Sequence, residues 1–178
     1  IVLTGSLGDV MKESAIAAVS YVRSNAGRLS VDPDFYKNRD IHIHATEAAV
    51  PKDGPSAGVT MTVGLVSELT GRPVKRDVAM TGEVTIRGRV LPIGGLKEKS
   101  MAAYRGGVKT VFIPKDNIPD LEDVDDTVKE SLRFIPVSNV DEIICQALEK
   151  PDSPEKKSDK TVIINNMMHE TASNGISQ

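Results

Sequence analysis

Apolar residues recur at helical spacing in four stretches of the chain. Residues 10–22 carry an alanine-rich apolar stripe, and residues 59–69 carry a second stripe that ends at Gly71. A third stretch, 96–105, has a pair of glycines on each side, and the fourth covers residues 141–148. Positions three and four residues apart share one face of a helix, so all four stretches are predicted to be amphipathic helices.

Short runs of β-branched and apolar residues separate these helices. Residues 41–44 alternate between isoleucine and histidine, which is the periodicity of a strand with two different faces. Further strands are predicted at 78–80, 84–86, 90–93, 110–113 and 132–137, with a hairpin turn at 87–89. The third helix lies between two strands with short connections, which suggests a crossover unit. The pattern therefore predicts the α+β class: a single compact domain in which helices pack on a mixed β-sheet.

The composition changes after Lys150. Residues 151–157 are rich in proline and charge, and the remainder to Gln178 is mostly polar. We therefore assign residues 1–150 to the domain and residues 151–178 to a polar C-terminal tail, which is expected to be disordered. The chain opens on Ile1 without an initiator methionine, and we expect it to be a piece of a longer protein.

Charge and composition argue against several classes of function. The net charge is −3 with both signs interspersed, and tryptophan is absent, so nucleic-acid binding through this domain is not expected. No apolar run is as long as a membrane span and nothing resembles a signal peptide, so we expect a cytoplasmic protein without membrane contact. The single cysteine, Cys145, cannot form an internal disulfide and is predicted to be a small core residue.

The loop PKDGPSAG (51–58) supplies the first candidate for chemistry. Pro55 excludes a helix there, yet the helical stripe begins at once after it, so Ser56 lies where a loop becomes a helix. Ala57 and Gly58 leave room for a molecule to approach its hydroxyl. Ser56 is either an N-cap, as serines often are, or a nucleophile beside free backbone N–H groups.

A serine hydroxyl needs a base to become a nucleophile, and histidine is one possibility. His44 or His42, together with Asp53 and Ser56, would make a Ser-His-Asp arrangement. The two histidines should lie on one face of their strand. A metal site would need further ligands, and none occurs at a telling spacing, so histidines lining a polar groove are favoured and no metal is expected.

Lysine is the other possible base. It must be held uncharged, which requires a small, dry pocket and no carboxylate partner. Lys97 and Lys99 are two positions apart on the third helix, about 200° around its axis, so they cannot both face inward. The residues that share an arc with Lys99 are Leu96, Ala102 and Ala103. These apolar neighbours favour Lys99 as the desolvated amine.

Three motifs occur in order along the chain: PKDGPSAG (51–58), MTGE (80–83) and LPIGGLKEK (91–99). Together they resemble the proteolytic domain of the Lon family of ATP-dependent proteases, in its bacterial form. The opening LTGSLGDVMKESA (3–15) and RGG (105–107) match the same domain, and the resemblance continues in register to about Lys150. The first strands of the family domain are expected to precede residue 1.

The resemblance implies a serine–lysine dyad, with Ser56 as the nucleophile and Lys99, not Lys97, as the general base. Thr81 matches the family threonine whose hydroxyl contacts that lysine, and backbone N–H groups around Ser56 would hold the oxyanion. The matches to polar positions that line or gate the family's active site are Asp53, His44, Glu47 and Glu83. The segment ATEA (45–48) departs from the proline and glycine that usually surround this glutamate.

The resemblance also implies a function and partners. In the family, an ATPase module ahead of this domain unfolds substrates and threads them into a chamber enclosed by six subunits. We therefore expect the peptidase part of an ATP-dependent, homo-hexameric serine endopeptidase that degrades unfolded, misfolded and regulatory proteins. The chain has no Gly-x-x-x-x-Gly-Lys-Ser/Thr motif, so no cofactor is expected in it, and ATP and Mg²⁺ are assigned to the missing ATPase module.

Two alternatives remain open. The first is a serine hydrolase in which a histidine is the base. The second is a module without enzymatic activity, in which Ser56 caps a helix whose N-terminus binds an anion such as phosphate.

Overall fold

The computed structural model describes residues 1–45 and 53–151, and its mixture of helices and small sheets confirms the α+β class. The helices of this part of the chain are α1 (Asp9–Ser24), α2 (Phe35–Asn38), α3 (Gly58–Thr70), α4 (Leu96–Arg105), α5 (Asp126–Ser131) and α6 (Val140–Ala147). Its strands are β1 (Val2–Thr4), β2 (His42–His44), β3 (Val78–Met80), β4 (Glu83–Val84), β5 (Val90–Leu91), β6 (Thr110–Pro114) and β7 (Arg133–Val137). Among these residues no helix is both long and apolar enough to cross a membrane. The predicted tail, apart from Pro151, lies outside the described residues.

The described strands form three small sheets instead of one mixed sheet. β3, β6 and β7 make a parallel sheet with β6 in the centre, and β1 pairs with β2 in parallel. β4 and β5 form the predicted antiparallel hairpin, which turns at Gly88 with a φ of 83°. The predicted crossover is present, but it joins β3 to β6, because β5 pairs with β4 and not with β6.

The parallel sheet separates two hydrophobic clusters. Phe112 of β6 belongs to the first cluster, with residues of α1, α3 and α6. Its neighbours Val111 and Ile113 belong to the second cluster, with residues of α4 and α5. Alternate side chains of a strand point to opposite faces, so α3 and α4 pack on opposite faces of this sheet.

Small residues bring α1 and α3 close together. Ala15 and Ala18 of α1 are fully buried, as the alanine-rich stripe predicted. Gly58, the first residue of α3, is buried against α1, and a Cβ built on it would lie 2.9 Å from the Oγ of Ser14. Gly58 therefore serves helix packing, and the prediction that it leaves room beside the Ser56 hydroxyl is wrong.

The structure of helix α6 contradicts a second prediction, which concerned Cys145. Cys145 is exposed and is not a core residue. The buried residues of α6 are Val140, Ile143, Ile144 and Ala147. These positions are three or four apart and form one stripe, and Cys145 lies outside it. Asn139 precedes the helix and caps it, because its side chain accepts a hydrogen bond from the backbone N–H of Asp141 over 3.0 Å.

A buried tyrosine links α1 to α6. Tyr21 is 1% exposed, and its hydroxyl donates a hydrogen bond to Asp141 over 2.5 Å. Arg28 donates to the other carboxylate oxygen of Asp141 and to the Tyr21 hydroxyl. Burial in the first place, and the hydrogen bond to Asp141 in the second, raise the pKa of Tyr21 to about 12.

Replacing Tyr21 by phenylalanine is expected to flatten the pH dependence of folding in alkaline solution. An unfolded tyrosine loses its proton at about pH 10, whereas folded Tyr21 keeps it to about pH 12. The stability from this group is therefore complete below about pH 10 and falls, by at most about 3 kcal/mol, as the pH rises to about 12. Urea unfolding across this range measures the slope, and Tyr104→Phe, which removes an exposed hydroxyl, is the control. Equal slopes in the parent and Tyr21→Phe would contradict the prediction.

Candidate active site

Ser56 lies in the turn that precedes α3. The residue at the N-cap position of α3 is Ala57, and no side chain makes a capping hydrogen bond there. The turn is closed by the backbone N–H of Gly58, which donates to the carbonyl of Pro55 over 3.1 Å. The interpretation of Ser56 as an N-cap is therefore wrong. Its half-buried side chain is not used to hold the helix.

The segment after β3 fixes the backbone of Ser56. The carbonyl oxygen of Ser56 accepts hydrogen bonds from the Thr81 hydroxyl over 3.2 Å and from the backbone N–H of Gly82 over 2.9 Å. The carbonyl of Gly82 in turn accepts from the N–H of Val59, over 3.1 Å. The start of α3 is thus attached to the carboxyl end of the edge strand β3.

Two backbone donors remain free beside the Ser56 hydroxyl. Among the residues that the structure describes, the N–H groups of Ser56 and Ala57 donate no hydrogen bond. They lie next to the N-terminus of α3, where the helix dipole is positive. Such groups are suited to hold the negative charge of a tetrahedral intermediate.

Two cavities open beside Ser56. The first, here called the apolar pocket, has a volume of about 250 Å³ and is lined by Ser56, Ala57, Thr60, Ala79, Met80, Thr81, Lys99, Ala103 and Val111. The second, here called the open groove, has a volume of about 550 Å³ and is lined by Asp53, Gly54, Pro55, Ser56, Pro92, Ile93, Gly94 and Lys99. Ser56 and Lys99 are the two residues that line both cavities. Although they come from elements on opposite faces of the sheet, they line the same two cavities.

Lys99 is on the first turns of α4 and has no fixed partner. Within the described part of the chain, no carboxylate lies at salt-bridge distance from its amine and no hydrogen bond occupies it. Lys97 lines neither cavity. Lys99 is nevertheless exposed, so the prediction of an amine already desolvated in a dry pocket is wrong. The buried residues of α4 are Leu96 and Ser100, and Lys99 lies at the border of that face.

Thr81 and Asp53 have partners that the sequence did not indicate. Thr81 is 6% exposed and lines the apolar pocket with Lys99, but its hydroxyl donates to the carbonyl of Ser56, not to the lysine. Asp53 lines the open groove, and its carboxylate accepts from the N–H of Met11 over 3.1 Å. It thereby caps α1 from a distant loop, next to Gly8 at the N-cap position.

The remaining predicted site residues lie elsewhere. His42 and His44 share one face of β2, as predicted, and both make hydrogen bonds with Thr4 over 2.9 and 2.7 Å. His42, His44 and Glu83, which is on β4, line neither the apolar pocket nor the open groove. Glu47 lies outside the described residues. In residues 1–45 and 53–151 there is no group of three acidic, histidine or cysteine side chains arranged for a metal ion.

Apart from Ala57, Thr81 and Ala103, sequence reasoning assigned no role to the residues that form the walls of the apolar pocket. Ala79 and Met80 come from β3, Ala103 from α4 and Thr60 from α3, so the pocket joins positions far apart in the chain. The only local signal was the run of small residues on the third predicted helix. Such a run is equally typical of ordinary helix packing.

Comparison with known proteins shows which family the chain is similar to. The family model described as the Lon protease (S16) C-terminal proteolytic domain matches residues 1–150. The chain is 59% identical over 155 residues to a Lon protease of Brevibacillus choshinensis, which covers 87% of this chain and 20% of that protein. It is 60% identical over 148 residues to Lon protease 1 of Bacillus subtilis (strain 168), covering 83% of this chain and 19% of that protein. The chain thus spans about a fifth of the length of these relatives.

Proposed function

The chain belongs to the family of Lon protease (S16) C-terminal proteolytic domains, and from this premise we propose that it cleaves peptide bonds with a Ser56–Lys99 dyad. One observation carries the assignment of the residues. Ser56 and Lys99 together line both cavities, and the amine has no carboxylate partner among the described residues. The absence of a carboxylate meets one of the two requirements for a lysine base, and the other is the exclusion of water.

The reaction proceeds in two stages. The uncharged Lys99 amine removes the proton from Ser56 Oγ while Oγ attacks the carbonyl carbon of the scissile bond. The N–H groups of Ser56 and Ala57 hold the oxyanion. The lysine then returns the proton to the departing nitrogen as the C–N bond breaks, which leaves an ester on Ser56. In the second stage Lys99 takes a proton from water as the water oxygen attacks the ester carbon. The bond to Ser56 Oγ then breaks, Lys99 returns the proton to Oγ, and the acid is released.

Because Lys99 is exposed, we assign to the substrate the role of shielding its amine from water. A peptide lying in the open groove would cover the amine and exclude water, and a dry site favours the uncharged amine over the ammonium ion. We assign the apolar pocket to an apolar substrate side chain of medium size next to the scissile bond. Its walls of alanine, valine and methionine and its volume of about 250 Å³ support this assignment.

The relatives also support a proposal for the whole protein. We propose that the complete protein is an ATP-dependent protease of the cytoplasm that degrades unfolded, misfolded and regulatory proteins. Its ATPase module would bind ATP and Mg²⁺, and six copies would form a ring. The support is that the curated Lon proteases are about five times longer than the matched region. This chain alone should cleave small or unfolded peptides weakly and folded proteins very little.

Covalent labelling tests the proposed nucleophile. A fluorophosphonate should modify the folded chain once, with loss of fluoride and formation of a stable bond from Ser56 Oγ to phosphorus, and mass spectrometry of the chain's fragments should place the modification on Ser56. Chain that has been unfolded before labelling should stay unmodified, because the reaction needs Lys99 and the oxyanion donors in place. Modification of another residue, or equal labelling of the unfolded chain, would reject the dyad.

A further inference from the structure

Residues 92–94 form a free main-chain edge beside Ser56. Pro92 and Gly94 are exposed and line the open groove together with Ser56 and Lys99. A Cβ built on Gly94 would meet no atom within 4 Å, so this residue borders open space. Within the described part of the chain, neither the carbonyl of Pro92 nor the N–H of Gly94 has a hydrogen-bond partner.

Asn117 holds this edge from the other side. The backbone N–H of Ile93 donates to Asn117 Oδ1 over 3.0 Å, and Asn117 Nδ2 donates to the carbonyl of Ile93 over 2.8 Å. The same Nδ2 donates to Asp120 over 2.5 Å, which fixes the orientation of the amide. Asn117 is 2% exposed. One buried side chain thus binds both polar groups of Ile93, as a neighbouring strand would.

Peptide geometry determines where the free groups point. In a planar trans peptide the carbonyl and the N–H point in opposite directions, and no cis peptide bond occurs in the described residues. The N–H of Ile93 points to Asn117, so the carbonyl of Pro92 in the same peptide unit points away from it. The carbonyl of Ile93 also points to Asn117, so the N–H of Gly94 points away as well. The acceptor and the donor therefore leave the edge on the side opposite to Asn117.

An acceptor at one residue and a donor two residues later are the groups that a strand offers to a neighbour. In a parallel pair both groups bond the same residue of the partner, and in an antiparallel pair they bond two residues of it. Extended peptides add to exposed strand edges in this manner. We propose that the edge at residues 92–94 binds the main chain of the substrate in extended form, and that Asn117 is the positioning residue that holds it. This inference rests on the proposed function, because the occupant is the peptide to be cleaved.

A backbone scan of a peptide substrate tests the inference on the unmodified sequence. In each member of the series one amide N–H is replaced by an ester oxygen, and kcat/KM is measured with the complete protein. One position should lose about three- to tenfold, because its N–H no longer bonds the carbonyl of Pro92. Its neighbours should lose less than about twofold, since alternate N–H groups of an extended chain point to opposite sides. If all positions lost the same fraction of kcat/KM, the inference would be overturned.

Asn117→Leu adds a second measurement. The variant releases both polar groups of Ile93, and KM for the all-amide peptide should rise about tenfold. The sensitive position of the ester scan should become insensitive, which general loss of stability would not produce. Asp116→Asn is the matched control, because Asp116 is exposed in the same turn and its side chain makes no hydrogen bond with Asn117 or Ile93; its scan should match the parent. An Asn117→Leu scan that keeps the sensitive position would overturn the role of Asn117.

The outcomes separate this inference from the proposed function. Peptide cleavage that is lost in Ser56→Ala, together with a scan that has no sensitive position, leaves the dyad in place and rejects the edge. Absence of Ser56-dependent cleavage rejects the proposed function, and the edge is rejected with it.

Discussion

Replacement of Ser56 by alanine is expected to lower peptidase activity by at least about 10³-fold and to leave stability nearly unchanged. Alanine has no oxygen to form the ester, so only slow hydrolysis helped by the oxyanion donors would remain. Ser56 does not cap α3, and its side chain makes no hydrogen bond with any described residue. The free energy of unfolding should therefore change by less than about 0.5 kcal/mol. Peptide cleavage and urea unfolding measure the two effects.

Asn139→Ala is the matched control for the helix-capping alternative. Asn139 makes a true capping box with α6, and its loss should cost about 1 kcal/mol of stability while the peptidase remains active. If Ser56→Ala lowers the free energy of unfolding by about 1 kcal/mol and leaves cleavage activity unchanged, Ser56 is a helix cap. The anion-binding alternative is then favoured.

Replacement of Lys99 by methionine is expected to lower the rate of acylation by about 10²–10⁴-fold. Methionine keeps much of the length and apolar character of the side chain but cannot take the proton from Ser56. Because Lys99 is exposed and has no partner in the described part of the chain, stability should hardly change. The burst of acyl-enzyme formation with an activated ester or peptide measures the step directly. Slow deacylation should accompany slow acylation, since the same amine activates water.

Two variants make this result specific. Lys97→Met removes the same charge from the same helix at a residue that lines neither cavity, and it should change the rate by less than about twofold. His44→Ala removes the alternative base, whose ring is hydrogen-bonded to Thr4, and should leave acylation measurable. Loss of acylation in His44→Ala with retention in Lys99→Met would assign the base to histidine.

Elements with their own end signals could be predicted from the sequence. Helix α4 was predicted to the residue because glycines lie on both sides of it, and α3 ends at Gly71, whose left-handed φ is 67°. Strand β3 was also predicted correctly. β1 was missed because three residues carry no periodicity, and its structure depends on pairing with β2, about forty residues away in the chain.

Contacts between distant segments limited how much of the candidate site could be predicted from the sequence. The helical arc of Lys99 indicated which way the side chain faces, but not that the pocket beside it is open to solvent. The hydrogen bond from Thr81 to Ser56 and the capping of α1 by Asp53 cross 25 and 42 residues of chain. No local pattern encodes them. The roles of Ser56 and Lys99 were derived from the resemblance, because the residues alone left three readings open.

The placement of the two candidate catalytic residues on separate hydrophobic clusters has a consequence for how the enzyme fails. Ser56 precedes α3, which packs in one cluster, and Lys99 is on α4, which packs in the other, so a shift of one cluster against the other would move hydroxyl and amine apart while both clusters stay packed. We therefore expect mild heating to abolish any Ser56-dependent peptide cleavage before most of the fold is lost.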